Sequence, residues 1–300
     1  MKSDFDCAVI GAGVAGMTAA LYLKRAGIDV CLFEKEFVGG QINKTYTIKN
    51  YPGLVDIDGP SLAFTMSSQL KELEIPIIFE KVENITDLEH SKLVKTNKTE
   101  YRVKAVIIAT GKKERSLGLD NEKELIGHGI SWCATCDGNL FKEKVVAVVG
   151  GGNTAMENAL YLSNICDKVY IINRSDNFRT DKILLEQVKT KENIVIIVNS
   201  VIKTLISENG VLAGIQLHDN SKIRVSGLFV AIGSDPVVDF AKNLDIEMSN
   251  NYIVVDEGMQ TSVEGIFACG DVIEKDLYQI ITAASDGAKS ANSVKNFLNR

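Results

Sequence analysis

Cys133 and Cys136 are separated by two residues and followed at once by Asp137. That spacing lets the two sulfurs close into a disulfide that thiols exchange readily, one sulfur being attacked while the other leaves. A carboxylate next to the second sulfur is placed to give or take a proton as the bond opens. The plainer reading of Asp137 is a structural cap. Zinc is the competing use of a Cys-x-x-Cys, but a tetrahedral site needs a further pair of ligands. No second Cys-x-x-Cys exists, and His90, His128 and His218 are scattered and read as surface residues. The pair therefore reads as redox chemistry.

A disulfide that is to be reduced needs an electron source, and two segments are built to hold one. In the first, Cys7-Ala8-Val9-Ile10 leads through Gly11-Ala12-Gly13-Val14-Ala15-Gly16 into a helix ending near Gly27, then into the strand Val30-Cys31-Leu32-Phe33 and Glu34. Gly11 allows a tight bend, Gly13 lets the backbone approach a pyrophosphate, Gly16 lets helix and strand pack closely, and the helix N-terminus attracts the phosphates. Glu34 stands where an acid accepts hydrogen bonds from ribose hydroxyls. The motif fits FAD or NAD alike. The second runs from Val145 to Val149 through Gly150-Gly151-Gly152-Asn153-Thr154-Ala155, a helix to about Ser163 and a strand from Val169 to Ile172. Ala155, in place of a third glycine, is small enough to keep the packing. No acid follows this strand; Asn173-Arg174-Ser175 and Arg179 do. Cations without a carboxylate favour a 2′-phosphate, hence NADPH over NADH; the alternative is two solvated surface arginines.

The apolar runs Ala105 to Gly111 and Leu228 to Gly233 each end in glycine and close a sheet. The expected fold is α/β, with two Rossmann-like three-layer nucleotide-binding domains, the second inserted in the first. Residues 1–115 with 241–300 form the first, a dinucleotide-binding domain, and 116–240 form a pyridine-nucleotide-type domain that carries the Cys pair. The chain has 300 residues, 45% hydrophobic and 24% charged, with a formal net charge of -6. That balance speaks against nucleic acid or an anionic membrane as partner. No apolar run reaches the roughly 18 residues of a membrane span. Met1-Lys2-Ser3-Asp4 shows no targeting pattern, so a cytoplasmic protein is expected. Cys7, Cys31, Cys166 and Cys269 read as buried packing residues.

Taken together, these motifs resemble the low-molecular-weight, bacterial-type thioredoxin reductases over essentially the whole length. The resemblance rests on Gly11 to Gly16, Gly39-Gly40-Gln41, Asn50-Tyr51-Pro52-Gly53, Cys133 to Gly138, and Gly265-Ile266-Phe267-Ala268-Cys269-Gly270-Asp271. It implies FAD on the first domain, with Glu34 at the ribose, Gln41, Asn50 and Gln279 near the flavin and Asp271 on the ribityl chain. It also implies Cys136 beside the flavin, Cys133 as the outer sulfur, hinges near Gly111 and Gly233, thioredoxin as the partner, and a homodimer. Gly150, Gly152, Ala155, Arg174 and Arg179 are the residues it assigns to NADPH. The chain departs from the family on cofactor surfaces: Asn173 and Ser175 in the 2′-phosphate motif, Asn153-Thr154 in the turn, Glu157-Asn158 for paired glutamates, and Tyr278 where arginine is common. Those departures keep open a related group that draws electrons from reduced ferredoxin, with Lys112, Lys113 and Arg115, or Lys142 and Lys144, as a basic docking patch. A reading of another class is a flavin-binding redox sensor without turnover.

Overall fold

The computed structural model describes residues 4–45, 48 and 50–299. Met1, Lys2 and Ser3, on which the reading of the N-terminus falls, lie outside them. The chain divides into two compact units, residues 1–113 with 235–300 and residues 114–234.

The first unit begins with β1 (Phe5–Ile10), α1 (Val14–Arg25) and β2 (Val30–Glu34), followed by a 3-10 turn at Gly40–Lys44 and by α2 (Gly59–Glu72). Asp58 caps α2, its carboxylate accepting from the Ser61 N–H at 2.8 Å. Then come β3 (Ile77–Phe79), the antiparallel hairpin of β4 (Val82–Leu88) and β5 (Ser91–Thr96), and β6 (Glu100–Ile108). β7 (Lys112–Glu114) carries the chain into the second unit.

There α3 (Glu122–Leu125), β8 (Ile130–Ser131) and the single helical turn α4 (Ala134–Asp137) precede β9 (Val145–Val149), α5 (Asn153–Ser163), β10 (Lys168–Ile172), α6 (Lys182–Lys189) and β11 (Ile194–Ile197). A small antiparallel sheet of β12 (Ile202–Glu208), β13 (Val211–Leu217) and β14 (Lys222–Ile223) covers one face before β15 (Gly227–Val230) returns to the main sheet. β16 (Ser234–Pro236) pairs with β7, and the first unit is completed by β17 (Met248–Ser249), β18 (Tyr252–Ile253), β19 (Ile266–Ala268) and α7 (Ile280–Leu298).

The first unit's sheet is seven-stranded, ordered β3-β2-β1-β6-β5-β4 with β19 also on β6; the second unit's is five-stranded and parallel, ordered β11-β10-β9-β15-β8. Each places its nucleotide-type strand, β1 or β9, at the centre. The strands read as unbroken apolar runs because both faces are covered. Cys7 and Val9 of β1 face one core with α1 and α7, while Ala8 and Ile10 face another with Phe240, Ile253 and Ile266. In β9 the same alternation sends Val146 and Val148 toward α5, and Ala147 and Val149 toward β12 and β13. Both units are thus three-layer α/β structures.

The return to the first unit falls at Asp235, ahead of the 241 read from the sequence. Phe240, Ala241 and Leu244 sit in the core beneath the first sheet, so the connecting segment packs with that unit. Among the described residues no helix is long and apolar enough to cross a membrane.

Candidate redox site and nucleotide turns

Cys133 and Cys136 are joined in a disulfide, their Cα atoms 5.3 Å apart. Cys133 caps α4: its sulfur accepts from the Cys136 N–H at 3.2 Å and lies 3.4 Å from the Thr135 hydroxyl. Donors aimed at a sulfur favour its thiolate over its thiol. The Asp137 carboxylate accepts a 2.6 Å hydrogen bond from the Ser131 hydroxyl, and the Ser131 oxygen in turn accepts from the Cys133 N–H at 3.0 Å. Ser131, buried at the end of β8, therefore ties the carboxylate to the first cysteine. Sequence reasoning missed it; a serine two residues before the pair carries no motif of its own.

The segment after the pair rests on α5. A Cβ on Gly138 would lie 3.0 to 3.2 Å from the side-chain ends of Tyr161, Ile165 and Leu162, so a larger residue there would have to push them aside. Trp132, next to Cys133, donates its indole N–H to the Arg115 carbonyl at 3.1 Å. Glu122, almost fully buried, accepts backbone N–H bonds from Leu117, Gly118 and Leu119 and shapes the chain that leads to β8.

The other cysteines form a chemical contrast. Cys7, Cys31, Cys166 and Cys269 are free and buried. Burial pushes the Cys269 thiol up to about 12 and the Cys166 thiol up to about 11, and raises Cys7 and Cys31 as well. None of the four is a nucleophile near neutral pH. His90, His128 and His218 are exposed, and no cluster of three or more candidate metal ligands exists among the described residues.

The first glycine turn has the shape of a phosphate cradle. Gly11 bends at φ +104°, and a Cβ there would meet the Ala109 carbonyl at 2.5 Å; a Cβ on Gly16 would lie 1.9 Å from the Gly11 oxygen. Gly13 differs: nothing lies within 4 Å of its would-be Cβ. It is the N-cap of α1, no side chain caps the helix, and no acid occupies its first turn. The backbone at Gly13 thus leaves room for a ligand to approach the uncapped positive end of the helix, as a diphosphate requires. Glu34, at the end of β2, accepts from the Ala12 and Glu36 N–H groups at 3.0 and 2.9 Å, which holds its carboxylate beside the turn. Gly39 donates to the Ala12 carbonyl at 2.7 Å and leads into Gly40 and Gln41.

Four residues assigned to the flavin surroundings are drawn into one neighbourhood of this unit. Asn50 donates to the Gln279 side chain at 2.9 Å, and Gln41 donates to the Lys112 carbonyl at 2.9 Å. The Lys112 ammonium lies 3.7 Å from Asp271. Lys112 also stands 4.0 Å above the ring of Tyr278, the neighbour of Gln279. The cradle, the carboxylate of Glu34 beside it and this polar cluster fit a flavin dinucleotide.

The second turn repeats the pattern. A Cβ on Gly150 would lie 2.1 Å from the Ala231 carbonyl, Ala155 is fully buried, and Gly152 caps α5 without side-chain help. Gly152 bridges Arg179, whose N–H donates to the Gly151 carbonyl at 2.8 Å, so the Arg179 backbone is pinned to the turn itself. Asn173 is not a surface residue. It is buried, donates to the Ser175 carbonyl at 2.9 Å and organises the loop against Gly151. That leaves Arg174 and Arg179 exposed, and no salt bridge among the described residues engages either. Asn153 and Asp181 bond reciprocally across the start of α5.

A paired-cysteine segment and two glycine-turn units define a flavin-type disulfide oxidoreductase architecture, and residues 5–288 match the family described as pyridine nucleotide-disulphide oxidoreductase; the chain belongs to that family. It is 38% identical over 299 residues to the thioredoxin reductase of Bacillus subtilis, covering 98% of this chain and 95% of that protein. The crystal structure of Lactococcus lactis thioredoxin reductase superposes with a TM-score of 0.83 at 36% identity, covering 99% of each chain. A ferredoxin-flavin thioredoxin reductase of Clostridium acetobutylicum gives a TM-score of 0.55 at 26% identity, covering 98% of each.

Proposed function

We propose that this chain is an FAD-dependent thioredoxin-disulfide reductase that draws its electrons from NADPH. The observation that carries the reading is the Cys133–Cys136 disulfide, braced by Ser131 and Asp137, in a unit with a nucleotide turn of its own. In this reading the first unit takes FAD and the second takes NADPH. Bound FAD supplies a two-electron relay between a nicotinamide and a disulfide.

The chain's own groups do the rest. Gly11, Gly13, Gly16 and the α1 N-terminus receive the diphosphate, Glu34 accepts from the ribose, Asp271 meets the ribityl chain, and Gln41, Asn50 and Gln279 border the ring. Gly150, Gly152 and Ala155 shape the second turn, with Arg174 and Arg179 at the 2′-phosphate. On accepting two electrons and two protons, Cys133 and Cys136 open to a dithiol, with Asp137 holding the proton that moves at the sulfur. One thiolate attacks the thioredoxin disulfide and forms a mixed disulfide; the other displaces it. Thioredoxin leaves as a dithiol and the Cys133–Cys136 bond re-forms.

The glycine-turn shape of the second unit, two exposed arginines and the greater likeness to the Lactococcus lactis thioredoxin reductase than to the ferredoxin-flavin enzyme favour NADPH over reduced ferredoxin. A cytoplasmic homodimer is the expected form. The test is anaerobic bleaching of the flavin band by NADPH, NADH and reduced ferredoxin in parallel. Rapid bleaching by NADPH supports the reading, and bleaching by ferredoxin alone overturns the donor. Normal thioredoxin turnover by Cys136→Ser would overturn the disulfide mechanism.

A further inference from the structure

Asp271 stands between two lysines. Lys112 approaches its Oδ2 at 3.7 Å, and Lys275 approaches its Oδ1 at 3.5 Å. Lys275 is anchored from behind by Asp286 of α7, at 2.8 Å, and both of these side chains are largely buried. Lys112 is held differently: its ammonium stacks on the Tyr278 ring at 4.0 Å, within cation–π range. Burial pushes the Tyr278 phenol up to about 12, so the ring remains neutral at physiological pH, and its hydroxyl donates to the Ile273 carbonyl at 3.3 Å. The Lys112 backbone is fixed as well, through Gln41 at its carbonyl, and Gly111 before it accepts from the Val237 N–H.

The four charges, Asp286, Lys275, Asp271 and Lys112, sum to zero. Without Lys112 the cluster would carry a net negative charge. A negative cluster disfavours binding of an anionic dinucleotide, and a partly buried position screens that repulsion less than water does.

We propose that Lys112 is a positioning residue for FAD: with Lys275 it grips the Asp271 carboxylate from the opposite oxygen and cancels its charge where the dinucleotide binds. This rests on the reading that the first unit takes FAD beside Asp271. Lys112 follows the glycine that ends the β6 segment, a position no nucleotide motif assigns.

The experiment is equilibrium titration of the apoprotein with FAD, followed by flavin fluorescence, for wild type, Lys112→Met, Lys112→Arg, Asp271→Asn and the Lys112→Met/Asp271→Asn pair, alongside the thermal midpoint of each apoprotein. Lys112→Met should weaken FAD binding about tenfold, the scale of a partly buried charge-assisted contact. Lys112→Arg should recover most of it, and Lys112→Met should lose little further affinity once Asp271 is neutral. A purely structural lysine would move the apoprotein midpoint while leaving the FAD Kd and the coupling to Asp271 untouched, and that result overturns the proposal. A wild type that takes up no FAD would overturn the flavoprotein reading and this role with it; equal FAD affinity in wild type and Lys112→Met overturns the role alone.

Discussion

Replacing Ser131 by alanine removes one hydroxyl and breaks two contacts. The first is the 2.6 Å bond to the Asp137 carboxylate, a charge-assisted contact worth about 1.5–3 kcal/mol when buried. The second is the 3.0 Å bond from the Cys133 N–H, a neutral contact worth about 1 kcal/mol. Asp137 is only half-buried, so water recovers part of the first, and the net loss comes to about 2 kcal/mol. At about 1.4 kcal/mol per tenfold, that is roughly a 30-fold effect. If Asp137 must be held in place to move the proton at the sulfur, the loss falls on turnover and spares the KM for thioredoxin. The assay is steady-state thioredoxin reduction by Ser131→Ala, Asp137→Asn and the double variant. The two substitutions should be strongly non-additive, because each removes the same contact. Turnover of Ser131→Ala within twofold of wild type, or additive losses, would refute the claim that Ser131 acts through Asp137.

Other perturbations follow from the same geometry. Gly13→Ala should leave the fold intact, its new methyl meeting only open space, yet impair FAD uptake; Gly16→Ala drives a methyl into the Gly11 carbonyl and should lower soluble yield and thermal midpoint outright. Alkylation of the reduced native protein near pH 8 should label Cys133 and Cys136 and spare the four buried cysteines until denaturant is added, as intact-mass analysis would show. Lys104, bonded to Asp6 at 2.8 Å, holds that carboxyl below its ordinary 3.8. Folded Asp6 thus binds its proton later than the unfolded chain does, so its stabilisation is complete above the unfolded value and drains away as pH falls through the depressed one. Asp6→Asn should therefore lower stability at neutral pH, match wild type once pH falls below the depressed value, and so flatten the acid limb of a stability-against-pH curve.

The α/β architecture was legible because its signals are local. β1, the glycine turn, α1, β2 and Glu34 lie within one contiguous stretch, and the apolar runs Cys7 to Ile10, Ala105 to Ile108, Val145 to Val149 and Leu228 to Val230 announce strands covered on both faces. The Cys133 pair was legible for the same reason. Ser131 was not, since a serine in a short strand has no pattern until the turn after it folds back. Nor was the charge cluster at Asp271: its members come from the end of the β6 segment, the turn after β19 and the helix α7, and only the closing of the sheet by β19 brings them together. Asn173 is a further residue whose place the sequence did not give. The sequence shows it only as a departure from the 2′-phosphate motif, whereas in the fold its amide is spent inside the loop, on the Ser175 and Asn177 carbonyls.

The pairing of β7 with β16 bears on how the chain is made. The first unit keeps its sheet incomplete until β19 has left the ribosome, because that strand belongs beside β6 and is encoded after the whole insert. By then the second unit has all of its own strands. Its folding draws residues 114 and 234 together and so closes, in advance, a loop of some 120 residues whose closure would otherwise cost the first unit about 4 kcal/mol of chain entropy. The inserted unit thus acts as a clasp during synthesis, and a substitution that unfolds it should be felt first as a failure of its host to assemble.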